Sequence, residues 1–321
     1  MPDSPVSSVD RCAESVSAAT GSASALPHPV RLVAIDMDGT LLPDFSTVIS
    51  RRNRETLLAA QKAGIHIVIA TGRRQAFTAP LLEGVGLDPE TLLVTSNGAV
   101  TRTFRGDRLD FCHLPAELAR ALAVLLRGTG MTVFTLDRPS PPDLIVEDMA
   151  IARGRLAKWV EANHNSIRAV QPIESALGDE VEIIQGMAAG TLREMAEAAA
   201  RIAASPLANR IEVIRTAYPG HDLSILDLLP PGISKRSGLE RIASRLGIPQ
   251  EQTMAIGDNW NDESMLDWAG VGVLMGNATE ELRGLATERG WRMAPRNTDD
   301  GVAAMLELAI ASRHAVARSL W

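Results

Sequence analysis

Three short, partly β-branched apolar runs in the chain each lead into a Gly, Asp or Thr residue. They are Leu32 to Ile35, Ile65 to Ala70 and Thr253 to Ile256. Runs of this length and composition are typical of parallel strands that are buried on both faces of a sheet. Ligands of open α/β sheets bind beyond the carboxyl ends of the strands, so the polar residues after these runs are expected to share one crevice.

Strand and helix patterns alternate between residues 30 and 97. Ser50 can cap a helix that ends at Gly64. A second helix is expected to start at Thr71 and to precede a strand from Leu92 to Thr95. The resulting β-α-β-α-β order predicts a doubly wound parallel sheet, an α/β fold.

The pattern changes after Asn97, and the alternation of strands and helices resumes only at Lys235. The region between them predicts an α+β domain inserted into the sheet domain and closed by Pro230 and Pro231. Its expected strands are Met131 to Leu136, Val181 to Gln185, Ile211 to Ile214 and Leu223 to Leu228. Its expected helices are Pro115 to Leu126, Ile151 to Asn163 and Thr191 to Ala203. The predicted division is a core of residues 29–98 and 231–321, an inserted domain of residues 99–230, and a disordered extension of residues 1–28.

Composition narrows the range of partners and compartments. With 321 residues, a net charge of −7 and a pI near 5.5, the chain is not expected to bind nucleic acid or anionic membranes. Its two cysteines provide no disulfide framework, and residues 1–28 lack the basic start and apolar core of a secretion signal. Because the cysteines provide no disulfide framework, we expect a protein of the reducing cytoplasm. No apolar run is long enough to span a membrane.

Asp36 and Asp38 follow the first apolar run and precede Gly39 and Thr40. Two carboxylates separated by one residue can serve as the nucleophile and the acid/base of phosphate-ester hydrolysis. Asp36 would attack phosphorus and form an aspartyl-phosphate, and Asp38 would protonate the leaving oxygen and later deprotonate water. The alternative is an ordinary loop after a strand, which also favours Asp and Gly.

Thr71 and Lys235 supply the groups that could bind the phosphate. Thr71 would use its hydroxyl and the backbone N–H groups of the turn through Gly72, because anions favour a helix start. Lys235 opens a later helix and would neutralise the nucleophile and the phosphate. A plain helix cap at Thr71 and a surface lysine at 235 are the alternatives, and Arg73 is at most a secondary contact.

Asp258 and Asp262 follow the third apolar run and supply oxygen ligands of the kind that a hard cation takes. Without a cysteine cluster or paired histidines, Mg²⁺ is the expected ion. A calcium-binding EF-hand loop would need Gly at its sixth position and Glu at its twelfth. Glu263 and Ala269 occupy these positions, so this alternative is rejected.

Together these motifs resemble the haloacid dehalogenase-like phosphatases, specifically the Cof-type branch with a large α+β cap. The resemblance covers nearly everything after residue 28 and includes the stretches Ser96 to Ala99, Ile225 to Lys235, Gly270 to Ala278 and Asp300 to Ala303. It implies that Asp36 is the nucleophile, Asp38 the acid and base, and that the metal is held by Asp36, Asp258 and the backbone carbonyl of Asp38. Thr71 and Lys235 would bind phosphate. The supporting positions would be Gly72, Asn97, Asn261, Asp262 and Asn277. Arg236 departs from the Gly that commonly follows the family's lysine.

The resulting hypothesis is a Mg²⁺-dependent phosphatase for a small phosphorylated metabolite, with sugar phosphates among the candidates. A phosphosugar mutase and a catalytically silent metabolite-binding module on the same fold are the alternatives. An oxidoreductase is disfavoured because Gly270, Gly272 and Gly276 lack the dinucleotide-binding spacing. Neither the substrate nor the oligomeric state can be derived from the sequence.

Overall fold

The computed structural model describes residues 26–43, 46–138, 140–147 and 156–319, with side chains up to Arg313. Its strands form one eight-stranded and one six-stranded sheet. The strands of the large sheet are β1 Leu32–Ile35, β2 His66–Ala70, β3 Leu92–Thr95, β4 Val100–Thr103, β5 Arg108–Phe111, β12 Thr253–Gly257, β13 Val271–Leu274 and β14 Arg292–Met293. Those of the small sheet are β6 Met131–Thr135, β7 Leu144–Val146, β8 Ile167–Ala169, β9 Gln185–Gly190, β10 Glu212–Tyr218 and β11 Leu223–Leu229. The helices are α1 Arg51–Lys62, α2 Gln75–Leu82, α3 Ala116–Leu126, α4 Ala157–Asn163, α5 Leu192–Ala203, α6 Lys235–Leu246, α7 Glu263–Trp268, α8 Glu280–Arg289 and α9 Gly301–Ser319.

The large sheet has the strand order β14-β13-β12-β1-β2-β3-β4-β5. All neighbours from β14 to β3 are parallel, and β4 and β5 add antiparallel strands at one edge. Along the chain, β2 and β3 are added on one side of β1, and β12 and β13 are added much later on the other side. The strand order therefore reverses between β1 and β12, which is where open α/β sheets bind their ligands.

Alternate residues of β1 and β2 pack into two different hydrophobic clusters. Val33 and Ile35 pack with Leu57 of α1 on one face, together with Leu306 of α9. Leu32 and Ala34 pack on the other face, with residues of α6 and α7. Both faces of the sheet are therefore covered by helices, which explains why these strands are continuously apolar in the sequence.

The small sheet has the order β10-β11-β9-β6-β7-β8 and is antiparallel except for the pair β7 and β8. Helices α3 and α5 pack on one face through residues such as Leu122 and Met195, against Phe134 and Leu226 of the sheet. We call this sheet with helices α3 to α5 the small-sheet unit. It has a hydrophobic cluster of its own, as a separately packed layer requires.

The predicted α/β fold with a doubly wound parallel sheet is confirmed. The large sheet continues past Ala99, the predicted start of the inserted domain, because β4 and β5 turn back along β3. The strand predicted at Val181 to Gln185 is wrong, since the strand there begins at Gln185. The helix predicted from Ile151 is described only from Ala157, and most of the predicted extension 1–28 lies outside the described residues.

Among the described residues, we found no helix with both the length and the apolar character needed to cross a membrane.

Candidate active site

The sheet register brings two of the predicted aspartates together. Asp36 directly follows β1 and Asp258 directly follows β12, and these parallel neighbours pair Ile35 with Ile256. Thr71 directly follows β2, the neighbour of β1 on the other side. Because parallel strands end at the same edge, all three polar residues lie at the point where the strand order reverses.

Lys235 lies fully buried between two carboxylates. Its Nζ is 2.5 Å from Asp36 Oδ1 and 2.6 Å from Asp262 Oδ1. The other oxygen of Asp262 accepts hydrogen bonds from the backbone N–H groups of Asp258 (3.0 Å) and Asn259 (3.1 Å). Asp262 therefore fixes both the lysine and the backbone that presents Asp258.

The carboxylates of Asp36, Asp258 and Asp262 could hold a metal ion, because one oxygen of each lies within 4.8 Å of the others. Oxygen donors of this kind suit a hard divalent cation. Both oxygens of Asp262 already accept hydrogen bonds, which favours Asp36 and Asp258 as the ligands. The donor set thus fits the predicted ion.

The turn after β1 is held close to Asp258. Gly39 has φ +81°, and a Cβ added there would lie 2.2 Å from Asp258 Oδ2, so no other residue fits. Thr40 donates from Oγ1 to Asp258 Oδ1 at 2.9 Å. The side-chain amides of Asn277 and Asn297 both donate to the Gly39 carbonyl, at 2.8 and 2.9 Å. Asn277, a predicted supporting residue, therefore acts on the backbone of this turn.

The side chain of Asp38 does not belong to the group of three clustered carboxylates and pairs with Arg73. The guanidinium donates from Nε to Asp38 Oδ2 at 2.6 Å and from Nη2 to Oδ1. The Asp38 side chain is 33% exposed, whereas that of Asp36 is 6% exposed. The two aspartates of the motif therefore have different surroundings, as different chemical roles require.

Thr71 lies in a turn, and the prediction that a helix starts there is wrong. Helix α2 begins at Gln75, after an extended Arg74. The Thr71 hydroxyl accepts a hydrogen bond from the Arg73 N–H at 3.1 Å across Gly72. Backbone hydrogen bonds hold this turn against β3 and the segment that follows it, since Thr71 N–H donates to the Val94 carbonyl at 2.8 Å and Ser96 N–H to the Arg73 carbonyl at 3.0 Å.

Asn97 and Asn261 lie beside this turn. The backbone N–H of Asn97 donates to the Thr71 carbonyl at 3.0 Å, and Asn261 Nδ2 donates to Asn97 Oδ1 at 3.4 Å. Asn97 Nδ2 donates to Asp227 Oδ2 at 2.8 Å. The structure thus brings the predicted supporting residues together and adds a buried carboxylate from β11.

Burial governs the ionisation of the central groups. It raises the pKa of Asp36 from 3.8 to about 7, and the charges of Asp262 and Asp38 add to this effect while Lys235 opposes it. Burial alone would lower the pKa of Lys235, but Asp262 and Asp36 outweigh it and raise that pKa above its ordinary value. Lys235 therefore stays protonated at neutral pH.

Arg236, the departure from the family pattern, lies at the surface of α6. Its Nε is 2.7 Å from Glu240 Oε1, one turn further along the helix. Helix α6 still begins regularly, because Ser234 and Ser237 form reciprocal capping hydrogen bonds. The residue after the lysine therefore leaves the buried position of Lys235 unchanged.

Sequence reasoning missed three residues of the site. Thr40 was part of the recognised motif and could have been assigned from its hydroxyl. Asp227 is a single acid in the apolar run Leu226 to Leu229 of β11, a pattern that indicates a buried carboxylate with a specific partner. No sequence pattern around Asn297 indicates a role in the site.

A model of the haloacid dehalogenase-like hydrolase family matches residues 33–306. The chain belongs to this family. The hydrolase is 28% identical over 299 residues to phosphatase YwpJ of Bacillus subtilis (strain 168), covering 87% of this chain and 99% of that protein. It is 30% identical over 261 residues to an HMP-PP phosphatase of Serratia proteamaculans (strain 568), covering 79% and 87%.

Its fold is similar to that of a HAD subclass IIB sugar phosphatase, with a TM-score of 0.69 and 26% identity, covering 88% of this chain and 100% of that chain. The predicted family, fold and enzyme class are confirmed.

Proposed function

We propose that this hydrolase removes a phosphoryl group from a small phosphorylated metabolite through an aspartyl-phosphate on Asp36, with Mg²⁺ as cofactor. The observation that carries the proposal is the buried chain Asp36–Lys235–Asp262 beside Asp258. A binding module has no need for a nucleophilic carboxylate next to a buried lysine, whereas phosphoryl transfer needs both.

In the first half of the reaction, a carboxylate oxygen of Asp36 forms a bond to phosphorus as the bond to the leaving oxygen breaks. Asp38 gives its proton to that leaving oxygen. Lys235 and the turn at Thr71 offset the negative charge of the phosphoryl oxygens. The products are the protonated leaving group and an acyl phosphate on Asp36.

In the second half, water attacks the phosphorus of the acyl phosphate. Asp38, now a carboxylate, takes the proton of that water, and the carboxylate of Asp36 leaves. Both oxygens of Asp38 accept hydrogen bonds from Arg73, so one of these bonds must break before Asp38 can give a proton to the leaving oxygen.

Asp36, Asp258 and the backbone carbonyl of Asp38 would hold the Mg²⁺ ion. When bound, the ion supplies positive charge that favours the ionised form of Asp36 and offsets the charge of the phosphate. Asp262 and Thr40 orient Asp258 for this task through the hydrogen bonds described above.

The small-sheet unit would act as the cap of the site. It contacts the core through Asn259, whose Nδ2 donates to the Ala217 carbonyl at 3.4 Å, and through Arg74, which donates to Asp143 and Asn163 at 2.9 and 2.6 Å. A unit in this place can exclude water and select the leaving group.

The names of the relatives support small phosphorylated metabolites as the substrate class. A panel should contain HMP-PP, hexose phosphates and a generic aryl phosphate, with inorganic phosphate release as the measurement. We expect turnover with Mg²⁺ and none after chelation, and turnover in metal-free buffer would contradict the proposal. Release of an isomeric sugar phosphate in place of inorganic phosphate would indicate a mutase.

Asp258→Ala should lose most of this activity while the protein stays folded by circular dichroism. Asp179→Ala is the matched control, because that side chain lies on the surface of the small-sheet unit and is 85% exposed. Equal activity of the two variants would contradict the role of Asp258.

A further inference from the structure

Asp227 is a buried carboxylate that the proposed chemistry does not use. It lies on β11, is 6% exposed, and is flanked along the strand by the buried Leu226 and Leu228. Among the described residues it forms no ion pair, and its hydrogen bond is with the amide of Asn97 on the core. A buried carboxylate without a cation is costly to keep, so its position calls for an explanation.

Asn97 belongs to a strained segment. Ser96 and Asn97 both have φ +50°, in the left-handed region that residues other than glycine seldom adopt. Two consecutive residues of this kind persist only where surrounding contacts hold them. The backbone contacts come from the turn after β2, since Asn97 N–H donates to the Thr71 carbonyl and Ser96 N–H to the Arg73 carbonyl, each at 3.0 Å.

The side chain of Asn97 lies directly against the same turn. A Cβ added at Gly72 would lie 3.0 Å from Asn97 Nδ2 and 3.2 Å from Oδ1. The amide therefore fills the space that a side chain at residue 72 would need. The two hydrogen bonds that fix its orientation come from Asp227, at 2.8 Å, and from Asn261, at 3.4 Å.

We propose that Asp227 is a positioning residue for the phosphate site, because its carboxylate holds the Asn97 amide against the turn of Thr71 and Gly72. This inference rests on the proposed phosphate-binding role of Thr71. Asp227 comes from the small-sheet unit, whereas Asn97 and Thr71 come from the core, so the hydrogen bond between Asn97 and Asp227 exists only when the two units are together. The small-sheet unit thereby contributes to the shape of the phosphate site without touching the phosphate.

The test is a double-mutant cycle of Asp227→Ala and Asn97→Ala. Binding of inorganic phosphate with Mg²⁺, measured by calorimetry, should weaken about tenfold in each single variant, the size of effect that one buried hydrogen bond gives. The double variant should be no weaker than Asn97→Ala alone, because Asp227 acts through Asn97. On the aryl phosphate, KM should rise about tenfold in Asp227→Ala with kcat within threefold.

Two further variants separate positioning from general packing. Asp227→Asn keeps an oxygen that can accept from Asn97 and should bind phosphate within threefold of the parent protein. Ser224→Ala removes another buried hydrogen bond of β11, from Ser224 Oγ to the Thr216 carbonyl at 3.1 Å, and should leave phosphate binding unchanged.

Additive losses in the cycle, or unchanged phosphate binding in Asp227→Ala, would overturn the inference. So would failure of both Asp227→Ala and Asp227→Ser to fold, since Asp227 would then serve the fold alone. Phosphate binding is measured without turnover, so a parent protein that binds phosphate but hydrolyses nothing would contradict the proposed function and still test the role of Asp227.

Discussion

Lys235 shows how a single residue can hold a buried site together. Its charge is shared between Asp36 and Asp262, two carboxylates that would otherwise repel each other in a buried space. Removing one partner of a buried ion pair costs about 3–5 kcal/mol, because the remaining charge stays unpaired. The lysine is therefore needed both for the charge of the site and for its geometry.

The first prediction separates Asp36 from Asp38. In Asp38→Asn an aryl phosphate with a good leaving group should still phosphorylate Asp36, but the acyl phosphate would lack its base, so a burst followed by a stall is expected. Mass spectrometry after a rapid acid quench should show one added phosphoryl group on Asp38→Asn and none on Asp36→Asn. A phosphoryl adduct on the Asp36 variant would reverse the assigned roles.

The second prediction concerns Asp227, whose pKa is raised by burial from 3.8 to about 7 against the hydrogen bond of Asn97 and the charge of Lys235. Between these values the folded protein binds the proton more tightly than the unfolded chain, so stability falls as the pH rises from 4 to 7. The loss is on the order of 4 kcal/mol at most. Asp227→Asn cannot lose a proton. The difference between its free energy of unfolding and that of the parent protein should therefore shift in favour of the variant between pH 4.5 and pH 8. If urea unfolding showed the same difference in free energy between the two proteins at every pH, this prediction would be contradicted.

At the residue scale, the sequence predicted the charged residues that meet at the ends of the strands, and it missed Thr40, Asp227 and Asn297. Asp36, Lys235, Asp258 and Asp262 follow strands or open helices, and their convergence follows from parallel strand order. Asp227 meets Asn97 from a different sheet, and no local pattern specifies that pairing.

Helix α6 places Lys235 in the site because its first turn is fixed on two sides. Ser234 and Ser237 exchange capping hydrogen bonds, and the Ser234 carbonyl lies against Gly98, where a Cβ would be only 2.0 Å away. Gly98 also has φ +102°, which side chains other than glycine's rarely allow. This contact sets the distance between the helix and the segment after β3.

The third prediction follows from this contact. Gly98→Ala must displace either its own segment or the start of α6, so we expect a loss of about 2–4 kcal/mol in unfolding free energy and reduced activity. Gly84→Ala is the control, since a Cβ there meets no heavy atom within 4 Å, and it should change stability by at most about 1 kcal/mol. Similar stability of the two variants in urea would show that the segment can shift freely.

At the element scale, the helices that follow a capping residue were predicted well. Ser50 and Thr191 each accept a hydrogen bond from the third residue that follows, and the helices after them begin where the sequence indicates. The apolar residues after Val181 suggested a strand, but β9 is the less apolar Gln185–Gly190. The position of β9 is set by its pairing with β6 on one side and β11 on the other. The local strand propensity of the sequence does not predict these pairings.

At the scale of the whole molecule, a few buried polar contacts join the core to the small-sheet unit. Arg74 of the core donates to Asp143 and Asn163, and all three side chains are buried. Arg102 of β4 pairs in the same way with Asp137. Buried ion pairs add little to stability overall but are costly to break, so they favour one relative placement of the two units.

The fourth prediction tests this joint. Asp143→Ala should cost about 3–5 kcal/mol, because Arg74 would remain buried without its carboxylate partner. Asp179→Ala removes the partner of Arg120 at the surface and should cost less than about 1 kcal/mol. Thermal unfolding of both variants in parallel provides the comparison, and equal midpoints would mean that Arg74 finds another partner.

The pairing of β1 has a consequence for how the protein folds as it is synthesised. Leu32 pairs on one side with His66, which follows soon after it, and on the other side with Thr253. At synthesis rates of roughly 5–20 residues per second, the second neighbour emerges about 10–45 s after the first strand. Until then one edge of a wholly apolar strand has no partner, and the small-sheet unit, which ends with β11 at Leu229, is completed only shortly before that partner emerges. The nascent chain is therefore most exposed to aggregation in this interval, and the last pairing, of high contact order, is the step expected to limit the folding rate.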